Sequence, residues 1–211
     1  MIRDSYLKQI VELLDNIRFS GENGLDNTSY TESMELLTRQ FEKVRAGKGR
    51  VFFIGNGGSA AIASHMTADF MKNGDMRTYS LYDNAVLTCL GNDYGYEHVF
   101  SKQLESLIEE GDLLVCISSS GNSENIIRAI KTAKEHGAYV ITFTGFDADN
   151  KARAMGNFNV HVPVRQYGMV ESIHNMMLKG ACSVRPGDDC GGYRIDGPHE
   201  TDCGALYGQA I

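Results

Sequence analysis

The stretch VFFIGNGGSAAIASHMTADF, residues 51–70, decides how the rest of the chain is read. Val51-Phe52-Phe53-Ile54 is a continuous apolar run that stops at Gly55-Asn56-Gly57-Gly58-Ser59, and a helical pattern carrying His65 and Asp69 follows. Continuous apolar runs of this length fit strands buried on both faces. Leu113-Leu114-Val115-Cys116-Ile117 and Tyr139-Val140-Ile141-Thr142-Phe143 repeat the pattern, each followed by Gly or Ser and then by a helical period. Asn159-Val160-His161-Val162 and Thr78-Tyr79-Ser80-Leu81 are weaker runs of the same kind. Strands alternating with helices predict an α/β fold, a five-stranded parallel sheet in an αβα sandwich. In such sheets ligands sit at the carboxyl ends of the strands, where both Gly/Ser loops fall.

Upstream, the spacing of Leu7, Ile10, Leu14 and Ile17 predicts a helix over residues 1–19. A second helix is expected from Ser29, with Glu32 completing a capping box and with Tyr30, Met34, Leu37, Phe41 and Val44 on one stripe. The division is therefore N-terminal helices over 1–48, an α/β domain over 49–179, and a tail over 180–211. That tail holds 7 of the 23 glycines and 3 of the 5 cysteines and shows no apolar period, so no element is expected in it. It reads as chain unrelated to the fold, as a frameshift would create, or as a metal site at Cys182, Cys190, His199 and Cys203 of no standard spacing.

With 211 residues, a net charge of −7 disfavours binding to a nucleic-acid backbone. No apolar run approaches membrane-spanning length, and MIRDSYLKQIVELLDN lacks a signal peptide's apolar core. Five cysteines without a C-x-x-C pair fit reduced thiols, so a soluble cytoplasmic protein without membrane or nucleic-acid partners is expected.

Neither G-x-G-x-x-G nor a P-loop is present, which disfavours dinucleotides and nucleoside triphosphates. Gly55–Ser59 reads either as a phosphate cradle or as a tight strand-to-helix turn. The second loop, Ser118-Ser119-Ser120-Gly121-Asn122-Ser123-Glu124, offers more hydroxyls than a helix cap needs. Hydroxyls, amides and a helix dipole together hold a phosphomonoester without Lys or Arg. His65 and Asp69, four apart on a helix, suit zinc or an ordinary helix-face hydrogen bond. Glu171 and His174 form a second pair three apart.

The loops GNGGSAAIASH and ISSSGNSENI, with GNDYGYEHVFSKQL and YGMVESIH, resemble the sugar isomerase (SIS) superfamily in its phosphoheptose isomerase branch, over residues 30–178. The resemblance implies a flavodoxin-like SIS fold, a homotetramer with shared active sites, and a phosphosugar substrate. The implied reaction is metal-assisted aldose–ketose isomerisation of sedoheptulose 7-phosphate to D-glycero-D-manno-heptose 7-phosphate. It implies substrate contacts at Asn56, Gly57, Gly58, Ser59, Asn92, Asp93, Ser118, Ser119, Ser120 and Ser123. It further implies one zinc ion on His65, Asp69 and Glu171, the same three residues carrying the catalysis. Asp69 and Glu171 replace the family's more usual Glu and Gln, and Lys179 stands where its members carry a His ligand. Lys179 keeps open a rival reading, a non-catalytic SIS module that binds a phosphosugar or assists assembly.

Overall fold

The computed structural model describes residues 2–22 and 25–183. The elements are α1 (Ile2–Leu14), β1 (Arg18–Gly21), α2 (Tyr30–Ala46), β2 (Arg50–Gly55), α3 (Gly58–Lys72), β3 (Arg77–Ser80) and α4 (Asn84–Tyr94). They continue with α5 (Ser101–Leu107), β4 (Leu113–Ser118), α6 (Glu124–Glu135), β5 (Tyr139–Gly145), α7 (Lys151–Met155), β6 (Phe158–Val162) and α8 (Tyr167–Ser183). The expected capping box is present: the Glu32 amide donates to Ser29 Oγ, and the Ser29 amide donates to the Glu32 carboxylate at 2.8 Å.

Five strands are parallel, as the apolar runs require, in the order β3-β2-β4-β5-β6. The sheet nevertheless has six strands. β1 lies antiparallel on the β6 edge, pairing Phe19 with Val160. A helix expected through residue 19 therefore ends at Leu14, because Phe19 gains more by packing edge-on to Phe158 than by prolonging a solvated turn.

Successive side chains of each central strand enter opposite layers. Phe53, Val115, Ile141 and Phe143 pack against Leu37, Phe41, Met66, Phe70, Ile173 and Met177 from α2, α3 and α8. Phe52, Ile54, Leu114, Cys116 and Val140 pack against Phe100, Leu104, Ile126, Ile130 and Ala133 from α5 and α6. Double coverage is what continuous apolar strands need, and it fixes the helix starts relative to the strand ends. α1 departs from this scheme. Leu7 and Val11 are 60% and 61% exposed, whereas Leu13 and Leu14 lie partly buried against the core, so only the C-terminal end of the helix packs on it within one chain.

α8 continues past the expected boundary at 179, with Ala181 and Cys182 buried. The tail readings involving Cys190, His199 and Cys203 lie outside the described residues.

Candidate functional site

Leaving β1 aside, the strand order is that of a doubly wound sheet whose crevice opens between β2 and β4, where the chain reverses its direction of winding. Gly55 pairs with Ile117 at the carboxyl ends of these two strands. Both Gly/Ser loops therefore leave the same edge, side by side.

A pair of amides joins them. Asn56 Nδ2 donates to Asn125 Oδ1 at 3.0 Å, and Asn125 Nδ2 donates back to Asn56 Oδ1 at 2.9 Å. The Tyr96 hydroxyl adds a third bond, to Asn56 Oδ1 at 2.9 Å. Behind them the Tyr82 hydroxyl accepts from the Gly55 amide at 2.6 Å and donates to its carbonyl at 2.9 Å. Burial pushes that phenol's pKa up, so it stays a neutral donor. Asn125, Tyr96 and Tyr82 were not expected at the site. The usable signal was Asn125, a polar residue placed directly before Ile126-Ile127 on the buried stripe of α6. Asn125→Ala leaves the Asn56 amide half-paired and is expected to cost roughly 2 kcal/mol by urea unfolding.

The serine loop is shaped by its backbone. The Gly121 amide donates to the Ser118 carbonyl at 3.0 Å and to Ser118 Oγ at 3.2 Å, while the Ser119 carbonyl accepts from the Gly145 amide at 3.0 Å. Ser120 Oγ accepts from the Asn122 amide at 3.4 Å. Ser123 stands at the N-cap of α6 without making a side-chain capping bond. Ser119 is buried, and its hydroxyl has no partner among the described residues. Two hydroxyls uncommitted to the fold thus flank a helix start, which is how an anion site differs from a cap.

The start of α3 is different. Gly57 caps it without a side-chain bond, and the Glu171 carboxylate of α8 lies over its first turn. A Cβ at Gly58 would stand 2.6 Å from the Glu171 carboxyl carbon, so a larger residue there would turn the carboxylate aside. A negative group already faces this helix start, which directs a further anion to α6.

Farther along the same two helices lies a second polar cluster. His65 Nε2 is 3.6 Å from Asp69 Oδ1, and Lys179 Nζ donates to His65 Nε2 at 3.2 Å and to Asp69 Oδ2. An ammonium only donates, so Nε2 accepts and the imidazole proton sits on Nδ1. Glu171 does not join His65 and Asp69. It precedes Lys179 by two helical turns, about 12 Å of axial rise, so the implied three-ligand zinc set is not assembled within one chain. Among the described residues no cluster of three His, Cys, Asp or Glu side chains could hold a metal. Zinc does not fit the His65–Asp69 pair in this arrangement, because the Lys179 ammonium already bonds both.

Asn92 and Asp93 end α4 on an exposed surface, with Asn92 Nδ2 donating to Asp93 Oδ1 at 2.8 Å rather than to either loop. Ser59 is buried in the first turn of α3. His174 is packing: it is fully buried, lies edge-on to Phe143, and bonds the Thr144 carbonyl through Nε2 at 3.0 Å.

His161, also buried, reaches Thr144 Oγ1 at 3.2 Å. Burial pushes both imidazoles down to about 4. The unfolded chain binds these protons near the ordinary value of 6.5, and the folded one only near 4. Stability is therefore constant above that window and falls as pH drops through it. Urea midpoints between pH 7 and pH 5 check this, with a flatter profile expected for His174→Gln.

A family model described as the SIS domain matches residues 5–145. The phosphoheptose isomerase of Aneurinibacillus thermoaerophilus is 32% identical over 187 residues, which cover 86% of this chain and 92% of that one. The chain belongs to the SIS-domain family, in its phosphoheptose isomerase branch. The phosphoheptose isomerase of Nitratidesulfovibrio vulgaris is 40% identical over 131 residues, 59% of this chain and 62% of its own length. The solved phosphoheptose isomerase of Neisseria gonorrhoeae superposes with a TM-score of 0.73 at 32% identity, covering 85% of this chain and 94% of that one. As a member of the SIS family, the chain has the expected flavodoxin-like parallel core. No described helix is long and apolar enough to cross a membrane.

Proposed function

We propose that this SIS-family chain is a phosphosugar isomerase that converts sedoheptulose 7-phosphate to D-glycero-D-manno-heptose 7-phosphate. The observation that carries the reading is the junction of both loops by the Asn56–Asn125 amide pair at the β2/β4 crevice. The named activity of relatives matched over most of their length supports the substrate class. The phosphate binds at the α6 start, taking hydrogen bonds from Ser119 Oγ, Ser123 Oγ and the loop amides. The sugar then runs along α3 toward His65 and Asp69. Asp69 removes the proton from C1 of the ketose and returns it to C2, while His65 passes a proton from O1 to O2. Glu171 orders the Gly58 turn between the two ends.

We further propose that active sites are completed by neighbouring copies in a homotetramer. α4 is apolar in composition and buries no residue within the chain, and Leu7 and Val11 of α1 are exposed. Light scattering is expected to give four chains per particle, and a monomer would contradict the assembly.

The deciding experiment is turnover of sedoheptulose 7-phosphate by purified full-length protein, followed by the appearance of an aldoheptose phosphate. Binding of the ketose phosphate without turnover would favour the non-catalytic module, a reading that Lys179 supports because it displaces a metal ligand type from the site.

A further inference from the structure

We propose that Lys179 is the resident cation of this site, a positioning residue that replaces the divalent ion the fold family would place between the imidazole and the carboxylate. The assignment rests on reading the His65–Asp69 cluster as the proton-transfer end of the site.

The placement follows from the packing of α8. Val170, Ile173, His174, Met177, Leu178 and Ala181 form its buried stripe, so residues 171 and 179 fall along its margin with α3. Glu171 meets Gly58, and Lys179 meets His65 and Asp69, so the two helices run side by side in the same sense. The Lys179 stem is therefore directed at the pair by the core, not by surface chance. Its ammonium sits where an ion bridging the two groups would have to sit, donating to Nε2 at 3.2 Å and to the Asp69 carboxylate.

Two consequences separate a lysine from a metal at this point. An ammonium carries three donors and no vacant orbital, so it orients Asp69 and sets the imidazole tautomer without binding a substrate oxygen by coordination. It also has no exchangeable ion to lose. The Nδ1–H left on His65 is then the donor available to the sugar, an arrangement made by the protein alone. A positive charge held within hydrogen-bond range of both ligands repels a divalent cation that approaches the same pair.

The test titrates zinc chloride into the full-length wild type and into Lys179→His by calorimetry, and assays turnover in excess chelator. The expected result is zinc binding about 100-fold tighter in Lys179→His than in the wild type, with wild-type turnover insensitive to chelator. Equal zinc affinity in the two proteins, or wild-type turnover abolished by the chelator, overturns the proposal. Should Lys179→His fail to fold, the wild type decides alone. One zinc held per chain and lost in His65→Ala overturns the proposal, while no uptake from millimolar zinc upholds it. If the zinc contrast appears and neither protein isomerises the ketose phosphate, the isomerase reading fails and the cation assignment stands.

Discussion

Asp69→Asn is expected to lower kcat for sedoheptulose 7-phosphate by about 10²–10⁴-fold, with KM changed much less. The amide keeps the shape of the carboxylate and still accepts the Lys179 hydrogen bond, but it cannot take up the C1 proton. Little stability should be lost. The Lys179 side chain is 41% exposed, and an ion pair open to solvent on one side contributes about 1 kcal/mol or less. Separating kcat from KM in a steady-state assay, alongside a melting curve, distinguishes chemistry from folding. Turnover at the wild-type rate would remove Asp69 from the mechanism.

Gly121→Ala is expected to damage the other end of the site through the backbone. Gly121 has a φ of +63°, a region costly to residues with a side chain, and a Cβ there would stand 2.8 Å from Asn150 Cβ and nearer still to its amide. Asn150 is buried, caps α7 by accepting from the Arg153 amide at 3.0 Å, and donates to the Asp147 carbonyl at 2.8 Å. Either the cap breaks or the serine loop shifts. The loss should be about 2–4 kcal/mol from the cap and the backbone together, with a large rise in KM because Ser118, Ser119 and Ser120 move with the loop. A melting temperature and KM both within error of wild type would show that the loop is not held this way.

Much of this arrangement is legible in the residues. Val51–Ile54, Leu113–Ile117 and Tyr139–Phe143 are strands because runs apolar on both faces need cover on both faces, and the loops after the first two had to share an edge. β1 was not legible. Four residues, Arg-Phe-Ser-Gly, have no period, and only the partner edge of β6 makes Phe19 worth burying. Asn92 and Asp93, which the resemblance implies as substrate contacts, form the end of a helix, because the Asp83 side chain caps α4 by accepting from the Val86 amide at 3.0 Å and carries the helix forward. The spacing of His65 and Asp69 placed them on one face correctly. What spacing could not say is what stands opposite. Glu171 was expected there, and the axial rise of α8 puts Lys179 there in its place.

Opposite the loops, at the amino ends of the strands, lies a cavity of about 720 Å³ lined in part by Lys43, Lys48, Arg50 and Arg77. It is larger than a sugar phosphate needs. Its Arg50, however, is already engaged by Asp112, with Nε donating to Oδ2 at 3.0 Å and the other guanidinium nitrogen at 2.8 Å. Its basic lining is thus partly committed to holding strand starts together, and the carboxyl edge remains the place for an anion.

Hydrogen exchange with and without sedoheptulose 7-phosphate tests this choice of edge most directly. Exchange is expected to slow together in residues 55–61 and 118–126, the two loops and the helix turns they open. Protection confined to the Arg50–Arg77 cavity, or to one loop with the other untouched, would contradict it.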